Sequence, residues 1–219
     1  MEPMTERREV ATEVPAGAKA VTGLIVSISE DVATVRTMSG QDMYLPVTEW
    51  YPRRRWSRGE KVVAVSREVS GQAVASVVDP VLVAILLEGI VPEVRDGRIR
   101  VMGVARRPGV RNKVAVAATE PGLDAVASCV GRGAGRVRSL SSLLNGERVD
   151  IVAWDSDPLK YLVNAMAPAR VTSAHLVGEG DAVDVVTPRH QMAAAVGEAG
   201  LNSQLAGRLT GYSVTVIPE

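Results

Sequence analysis

The chain has 219 residues, of which 46% are hydrophobic and none is phenylalanine, so its core must be built from smaller aliphatic side chains. One cysteine and two histidines are too few for a disulfide framework or a multi-ligand zinc site. The longest apolar run, residues 81–87, is far shorter than a membrane span. We therefore expect a soluble cytoplasmic protein that makes no membrane contact.

The 25 basic and 25 acidic residues balance, but they are unevenly distributed along the chain. Residues 1–50 hold 4 basic and 8 acidic side chains, residues 51–148 hold 17 and 9, and residues 149–219 hold 4 and 8. A section of net charge +8 thus lies between two sections of net charge −4 each. Arginine dominates the basic section, and its planar fork suits phosphate. This favours a nucleic-acid partner over the alternative of a merely solvated basic surface.

The first half of the sequence predicts a small β-barrel. Residues 1–17 are polar and lack periodicity, which indicates a flexible tail. Five short β-rich segments follow, with Ser39-Gly40 and Ser70-Gly71 at two of the turns. These segments are residues 21–28, 32–37, 43–45, 61–65 and 73–78. The single longer connection after the third segment predicts an OB-type barrel over residues 18–79, although another five-stranded barrel would leave the same pattern.

The longer connection in this barrel is a candidate RNA contact. It carries Arg53, Arg54 and Arg55 between Trp50 and Trp56. Bases stack on aromatic rings while arginines neutralise phosphates, so the segment suits a single strand. The alternative is that the tryptophans close the end of the barrel, and the sequence favours neither interpretation.

Two consecutive units of about seventy residues then repeat one order of elements, and such a repeat restricts the fold more than either copy alone. The first, residues 80–155, has predicted helices at 81–88, 123–130 and 136–144 and strands at 98–104, 113–117 and 148–154. The second, residues 156–219, has predicted helices at 158–166, 190–196 and 201–209 and strands at 173–177, 182–186 and 213–217. The predicted fold class is α+β, a five-stranded barrel followed by two such units.

Each unit places a glycine-rich loop between two helices, at residues 131–135 and 197–200. A helix–Gly-x-x-Gly–helix turn in a small αβ unit is typical of a KH domain. Its glycines let an RNA backbone approach closely, and the following helix offers free N–H groups to phosphates. A lone copy would more often be an ordinary helix cap. Two copies between the same elements predict a tandem array of KH domains.

Longer motifs add a family resemblance. They are VPEV at residues 91–94, ARRPGVRNKVAV at 105–116, DAVASCVG at 124–131, GERVDIVAW at 146–154 and YLVNAMAPA at 161–169. Together they resemble the RNA-binding region of the NusA family of bacterial transcription termination and antitermination factors. The resemblance implies an OB domain of the S-one type followed by two tandem KH domains of the prokaryotic topology. It implies single-stranded nascent RNA as the ligand. It also implies RNA polymerase or other transcription factors as partners.

The glycine loops and the basic motifs supply the candidate RNA-binding residues. In the first KH domain they are Gly131, Arg132, Gly133, Ala134, Gly135, Arg136, Arg138, Arg106, Arg107, Arg111 and Lys113. In the second they are Gly197, Gly200 and Asn202. Ala134 stands where the family has the second loop glycine, so either the loop shifts by one residue or Ala134 adopts a glycine-type conformation. Glu198 stands where the family has a basic residue, so we expect the first domain to carry most RNA affinity.

No catalytic or phosphate-loop motif emerges from the spacing of polar residues, so we expect no enzymatic activity and no cofactor. Bacterial members of the family begin with a larger polymerase-binding domain, which the short charged stretch before residue 18 does not resemble. This leaves an alternative function. The chain would then be a reduced paralogue that acts mainly through protein contacts with the transcription machinery and binds RNA weakly.

Overall fold

The computed structural model describes residues 18–52 and 54–219, so the predicted tail and Arg53 lie outside the described residues. Its first part is a closed barrel with the strand order β1-β2-β3-β5-β4. The strands are β1 (Lys19–Ile28), β2 (Val32–Thr37), β3 (Asp42–Pro46), β4 (Lys61–Val69) and β5 (Gln72–Ser76). Alternate side chains such as Ile25, Val35 and Met43 point inward and are 1% exposed. The prediction of an OB-type barrel is confirmed.

The next elements form the first KH unit, in the predicted order. They are α1 (Val81–Ile90), α2 (Pro92–Arg95), β6 (Ile99–Arg107), β7 (Arg111–Ala118), α3 (Ala125–Val130), α4 (Gly135–Leu143) and β8 (Arg148–Ala153). Strand β7 lies in the centre of the sheet, antiparallel to β6 and parallel to β8. The short helix α2 was not predicted from the sequence.

The second KH unit repeats this layout without a counterpart of α2. Its elements are α5 (Pro158–Ala165), β9 (Ser173–Leu176), β10 (Ala182–Thr187), α6 (Met192–Val196), α7 (Leu201–Thr210) and β11 (Ser213–Pro218). Strand β10 is central, antiparallel to β9 and parallel to β11. Asp157 caps α5 by accepting hydrogen bonds from the N–H groups of Leu159 and Lys160. The repeat and its α+β class are confirmed.

The sheet of the first KH unit is covered on both faces. On one face, Val114 and Val116 of β7 pack against the helices of the same unit, α1, α3 and α4. On the other face, Ala115 shares a core with Leu162 of α5 and Leu205 of α7, which belong to the second unit. Residues 111–116 of β7 are therefore buried without a break, and charged side chains within that stretch need internal partners.

The barrel also packs directly on the first KH unit. Val65 of β4 belongs to the same core cluster as α1, and Arg67 of β4 forms an ion pair with Asp79. Because the core clusters cross from one unit into the next, the predicted domain limits at residues 79 and 155 stay a prediction. Within the described residues, no helix is long and apolar enough to cross a membrane.

Candidate nucleic-acid interface

The two glycine loops have the same backbone shape. Loop 1 (residues 131–135) opens at Gly131 with φ 73° and ψ 166°, and loop 2 (residues 197–200) opens at Gly197 with φ 76° and ψ 169°. Ala134 is left-handed at φ 59° and ψ 26°, as is its counterpart Gly200 at φ 76° and ψ 9°. Loop 1 is therefore not shifted by one residue. Ala134 instead adopts the glycine-type conformation, which was the second of the two predicted possibilities.

The first glycine of each loop is required by close packing. A Cβ atom on Gly131 would lie 2.7 Å from Cγ of Arg136, and one on Gly197 would lie 2.7 Å from the backbone nitrogen of Asn202. Each loop thus folds back onto the first turn of the helix that follows it. This holds the N-terminus of α4 or α7 directly behind its loop.

Replacing Ala134 by glycine should stabilise the chain. A left-handed alanine costs about 1–2 kcal/mol, of which the extra freedom of an unfolded glycine cancels part. We expect Ala134→Gly to raise the free energy of unfolding by about 0.5–1 kcal/mol, measured by urea denaturation. The same change at the exposed helical residue Ala127 should lower it by about 1 kcal/mol. A loss of stability in Ala134→Gly would contradict the left-handed assignment.

Two arginines are exposed to solvent at loop 1 and in the first turn of α4. Arg132 is exposed and takes part in none of the ion pairs formed by residues 18–52 and 54–219. Arg138 is also exposed, and its Nη1 donates to the carbonyl oxygen of Gly133, which closes the loop from outside. Neither guanidinium group has a carboxylate partner there, so both can neutralise phosphates.

Arg136 has a different role, although the sequence groups it with these arginines. Its Nη1 donates to the carbonyl oxygen of Ser128 at 2.6 Å and to Oε2 of Glu93 at 3.0 Å. A backbone hydrogen bond at Glu93 itself and the charges of Arg136 and Arg98 hold the pKa of the Glu93 carboxyl below its usual value. Arg136 therefore ties α4 to α2 and supports loop 1 from behind.

A shallow groove runs beside α3 in the first KH unit. Its walls come from the start of α3, including Val126, and from the end of β8 with Ala153 and Trp154. Strand β8 is an edge strand, so no neighbouring strand of the sheet covers its outer side. The lining also includes the carboxylates of Asp124 and Asp155, and helix α3 runs from the groove to loop 1. Val126 and Ala153 offer apolar surface against which a base can lie while its phosphates reach the loop. The sequence did not single out Val126 or Ala153 because they carry no polar group that would mark them.

Loop 2 has the shape of loop 1 without its charge. Glu198 is exposed on the loop, and the helix residue Asn202 is fully buried. The Nδ2 atom of Asn202 donates to the carbonyl oxygens of Met166 at 2.9 Å and Ala195 at 3.1 Å. Asn202 thus supports the loop from inside and does not reach the surface. Gly197 and Gly200 keep the backbone form, while Glu198 repels a phosphate.

Three basic residues predicted to contact RNA have internal partners instead. The side chains of Arg106 and Lys113 are 0% exposed, and that of Arg111 is 10% exposed. Arg106 donates from Nη2 to Oε1 of Glu147 at 2.7 Å, and Arg111 donates from Nε to Oδ2 of Asp150 at 2.6 Å. These residues therefore do not line the surface. Arg107, which precedes the β6–β7 turn, is exposed and stays a candidate.

Lys113 faces the second KH unit. Its Nζ atom donates to the carbonyl oxygen of Ala167 at 2.6 Å and lies 3.5 Å from Oδ2 of Asp150. Burial lowers the pKa of Lys113 to about 8, although Asp150 acts in the opposite direction. The charge of Lys113 is therefore held at the contact between the two units.

The aromatic residues of the barrel connector lie mostly inside. Tyr51 and Trp56 are 5% and 6% exposed, with ring centroids 6.1 Å apart. Trp50 is half-buried, and its Nε1 donates to the carbonyl oxygen of Leu45 at 2.9 Å. Of the two predicted alternatives, these positions favour closure of the barrel end over base stacking.

The arginines of the barrel connector differ in their exposure and in their partners. The guanidinium carbon of Arg54 lies 4.4 Å from the ring centroid of Trp56, and Arg54 also forms an ion pair with Glu60. Arg55 is exposed, whereas Arg53 is outside the described residues. Among the described connector residues, Arg55 and Arg58 are thus the exposed arginines.

Comparison with known proteins gives a consistent family match. Residues 77–154 match the sequence model of the NusA-like first KH domain, and residues 158–219 match that of the NusA-like second KH domain. The transcription termination/antitermination protein NusA of Halalkalibacterium halodurans is 34% identical over 180 residues, which cover 80% of this chain and 47% of that protein.

Two further relatives bear the same name. The protein from Mycobacterium bovis is 36% identical over 78% of this chain and 51% of its own length. The protein from Thermus thermophilus is 31% identical over 89% of this chain and 51% of its own length. The chain thus spans about half the length of the curated relatives it matches.

Proposed function

The chain belongs to the NusA family through its two consecutive KH domains, and from this premise we propose that it binds single-stranded RNA during transcription. The observation that carries the proposal is the exposed pair of arginines at the glycine turn, Arg132 in loop 1 and Arg138 in the first turn of α4. The names of the relatives support a role in transcription termination or antitermination.

In the proposed binding mode, loop 1 holds the RNA backbone and the adjacent groove holds the bases. Arg132, Arg138 and the free N–H groups at the start of α4 neutralise and orient the phosphates. The bases turn toward the apolar wall formed by Val126 and Ala153, which lies beside the edge strand β8. Loop 2 offers the same backbone shape with one negative side chain, so we propose an accessory contact through Gly197 and Gly200.

The acidic second KH unit raises the alternative of a protein-binding paralogue with little RNA affinity. Exposed Arg132 and Arg138 favour RNA binding over that alternative, because among the described residues neither has a carboxylate partner and both can neutralise phosphates. We extend the proposal to association with RNA polymerase or other transcription factors in the cytoplasm. Retention of RNA polymerase by the immobilised chain tests this part separately, and we propose no catalytic role.

A salt titration tests the RNA-binding proposal. The logarithm of the association constant for a short unstructured RNA should fall linearly with the logarithm of the salt concentration. The slope should be about −0.7 for each phosphate neutralised. With the two exposed arginines Arg132 and Arg138, we expect a slope of about −1.4. No detectable binding at low salt, or affinity independent of salt, would contradict the proposal.

A further inference from the structure

Lys113 is a fully buried lysine at the contact between the two KH units. It lies on the central strand β7 and is 0% exposed. Its Nζ atom donates to the carbonyl oxygen of Ala167, which follows α5 in the second unit, at 2.6 Å. A buried lysine requires compensating partners. Here the counter-charge is Asp150 of the same unit, at 3.5 Å, and the hydrogen-bond acceptor is a backbone group of the neighbouring unit.

The carbonyl group of the preceding residue, Met166, also accepts a side-chain hydrogen bond. The oxygen of Met166 accepts a hydrogen bond from Nδ2 of Asn202 at 2.9 Å, and the same nitrogen donates to Ala195 in α6 at 3.1 Å. Asn202 also packs against Gly197, the first residue of loop 2. Contacts thus lead from Lys113 in the first unit, through the neighbouring carbonyl groups of Ala167 and Met166 and through Asn202, to loop 2 in the second.

The apolar contacts follow the same route. Helix α7, which begins at the end of loop 2, packs on β6 and β7 through a core that contains Leu205 and Ala115. Helix α4, which begins in loop 1, packs on the opposite side of this sheet through Leu140 and Val149. The relative position of the two loops therefore depends on how α5 and α7 are seated on the first unit.

We propose that Lys113 is a positioning residue that fixes loop 2 relative to loop 1, so that one RNA strand can contact both. This inference rests on the proposed function. A KH loop holds about four nucleotides, so an RNA of 5 nucleotides fills about one loop and one of 12 nucleotides can span both. Linked sites add affinity only when their geometry permits both contacts at once.

The charged groups around Lys113 allow its role to be tested with the substitution Lys113→Met. Asp150, Arg111 and Arg148 are the charged groups near it, and Arg111 remains 2.6 Å from Asp150 when the lysine is removed. Lys113→Met therefore creates no isolated buried carboxylate. Because burial lowers the pKa of Lys113 to about 8, a charged amine at this place costs stability at neutral pH. Stability therefore does not explain why a lysine stands at position 113, whereas a positioning role does.

The first experiment compares the two RNA lengths. We expect Lys113→Met to weaken binding of the 12-nucleotide RNA about tenfold, within the gain that linking provides. Binding of the 5-nucleotide RNA should change less than about twofold, because loop 1 is untouched. The matched control is Lys19→Met, an exposed lysine on β1, which should leave the ratio of the two affinities unchanged. A merely destabilising substitution would weaken both RNAs equally, and that result would overturn the proposal.

The second experiment measures the loops without RNA. Spin labels on the double variant Arg132→Cys/Glu198→Cys report the distance between the loops, and Cys129 stays unlabelled because it is buried. Adding Lys113→Met should broaden or shift the distance distribution. An unchanged distribution overturns the proposal even if the chain proves not to bind RNA, so the two failures are distinguishable. If Lys113→Met does not fold, Lys113→Gln is measured in the same way against the same criteria.

Discussion

Glu147→Ala should be the most destabilising single substitution that the structure suggests, with an expected loss of about 3–5 kcal/mol in the free energy of unfolding. The Glu147 carboxylate is 1% exposed and accepts from Nε and Nη2 of Arg106, at 3.0 and 2.7 Å. It also accepts from the N–H of Gly109 at 2.9 Å and from Nδ2 of Asn112 at 2.8 Å. Alanine would leave the fully buried Arg106 guanidinium without its counter-charge.

The loss should extend to the barrel. Nη2 of Arg106 also contacts the hydroxyl of Tyr51 at 3.4 Å, and Nη1 donates to the carbonyl oxygen of Asp79 at 2.8 Å. Urea denaturation followed by circular dichroism measures the effect. The control is Asp42→Ala, which removes the exposed partner of Arg36 and should leave the free energy of unfolding almost unchanged, because solvent screens that pair. Equal losses in both variants would contradict the assignment of Glu147.

Arg132→Glu should produce the largest change in RNA affinity. The substitution removes an exposed guanidinium from loop 1 and places a carboxylate there, so one phosphate contact is lost and repulsion is added. A charge-assisted hydrogen bond contributes about 1.5–3 kcal/mol, which corresponds to about 10- to 100-fold in affinity. The slope of the salt titration should also become less negative by about 0.7. The dissociation constant is measured by fluorescence anisotropy with the 12-nucleotide RNA.

The opposite charge change in loop 2, Glu198→Lys, complements Arg132→Glu. Glu198→Lys places a positive charge on a loop with the same backbone shape and should raise affinity for the same RNA. Arg189→Glu, at an exposed arginine in a single 3-10 turn before α6, has the same charge change as Arg132→Glu and serves as its control. If Arg132→Glu and Glu198→Lys bind RNA equally well, the loops are not the RNA surface.

The secondary structure was largely predictable because local patterns and long-range packing agree. Strand β2 has the predicted bounds, since its alternating residues end next to the Ser39-Gly40 turn. Helix α2 could not be predicted because it has only four residues and no periodicity. Strand β6 continues to Arg107, three residues beyond the predicted end, because Arg106 pairs with the distant carboxylate of Glu147.

The interface was less predictable than the fold. The glycine loop identified Arg132, whose exposure follows from its position at a turn. Arg111 and Lys113 are basic like Arg132, and only their tertiary contacts show that they are buried rather than exposed. Lys113 pairs in register with Asp150 on β8, 37 residues further along the chain. The signal that was available is the pair of acidic residues around the start of β8, Glu147 and Asp150, which matches the basic start of β7.

The most direct test of the account is hydrogen exchange with and without a single-stranded RNA of about 12 nucleotides. If the RNA lies on loop 1 and in the groove beside α3, the amides of residues 131–138 and 123–126 should become protected, with weaker protection at residues 197–204. Residues 50–52 and 54–56 of the barrel should change little, because the rings of Tyr51 and Trp56 are buried. Protection confined to the barrel, or no protection at loop 1 under conditions where the RNA is bound, would contradict the account.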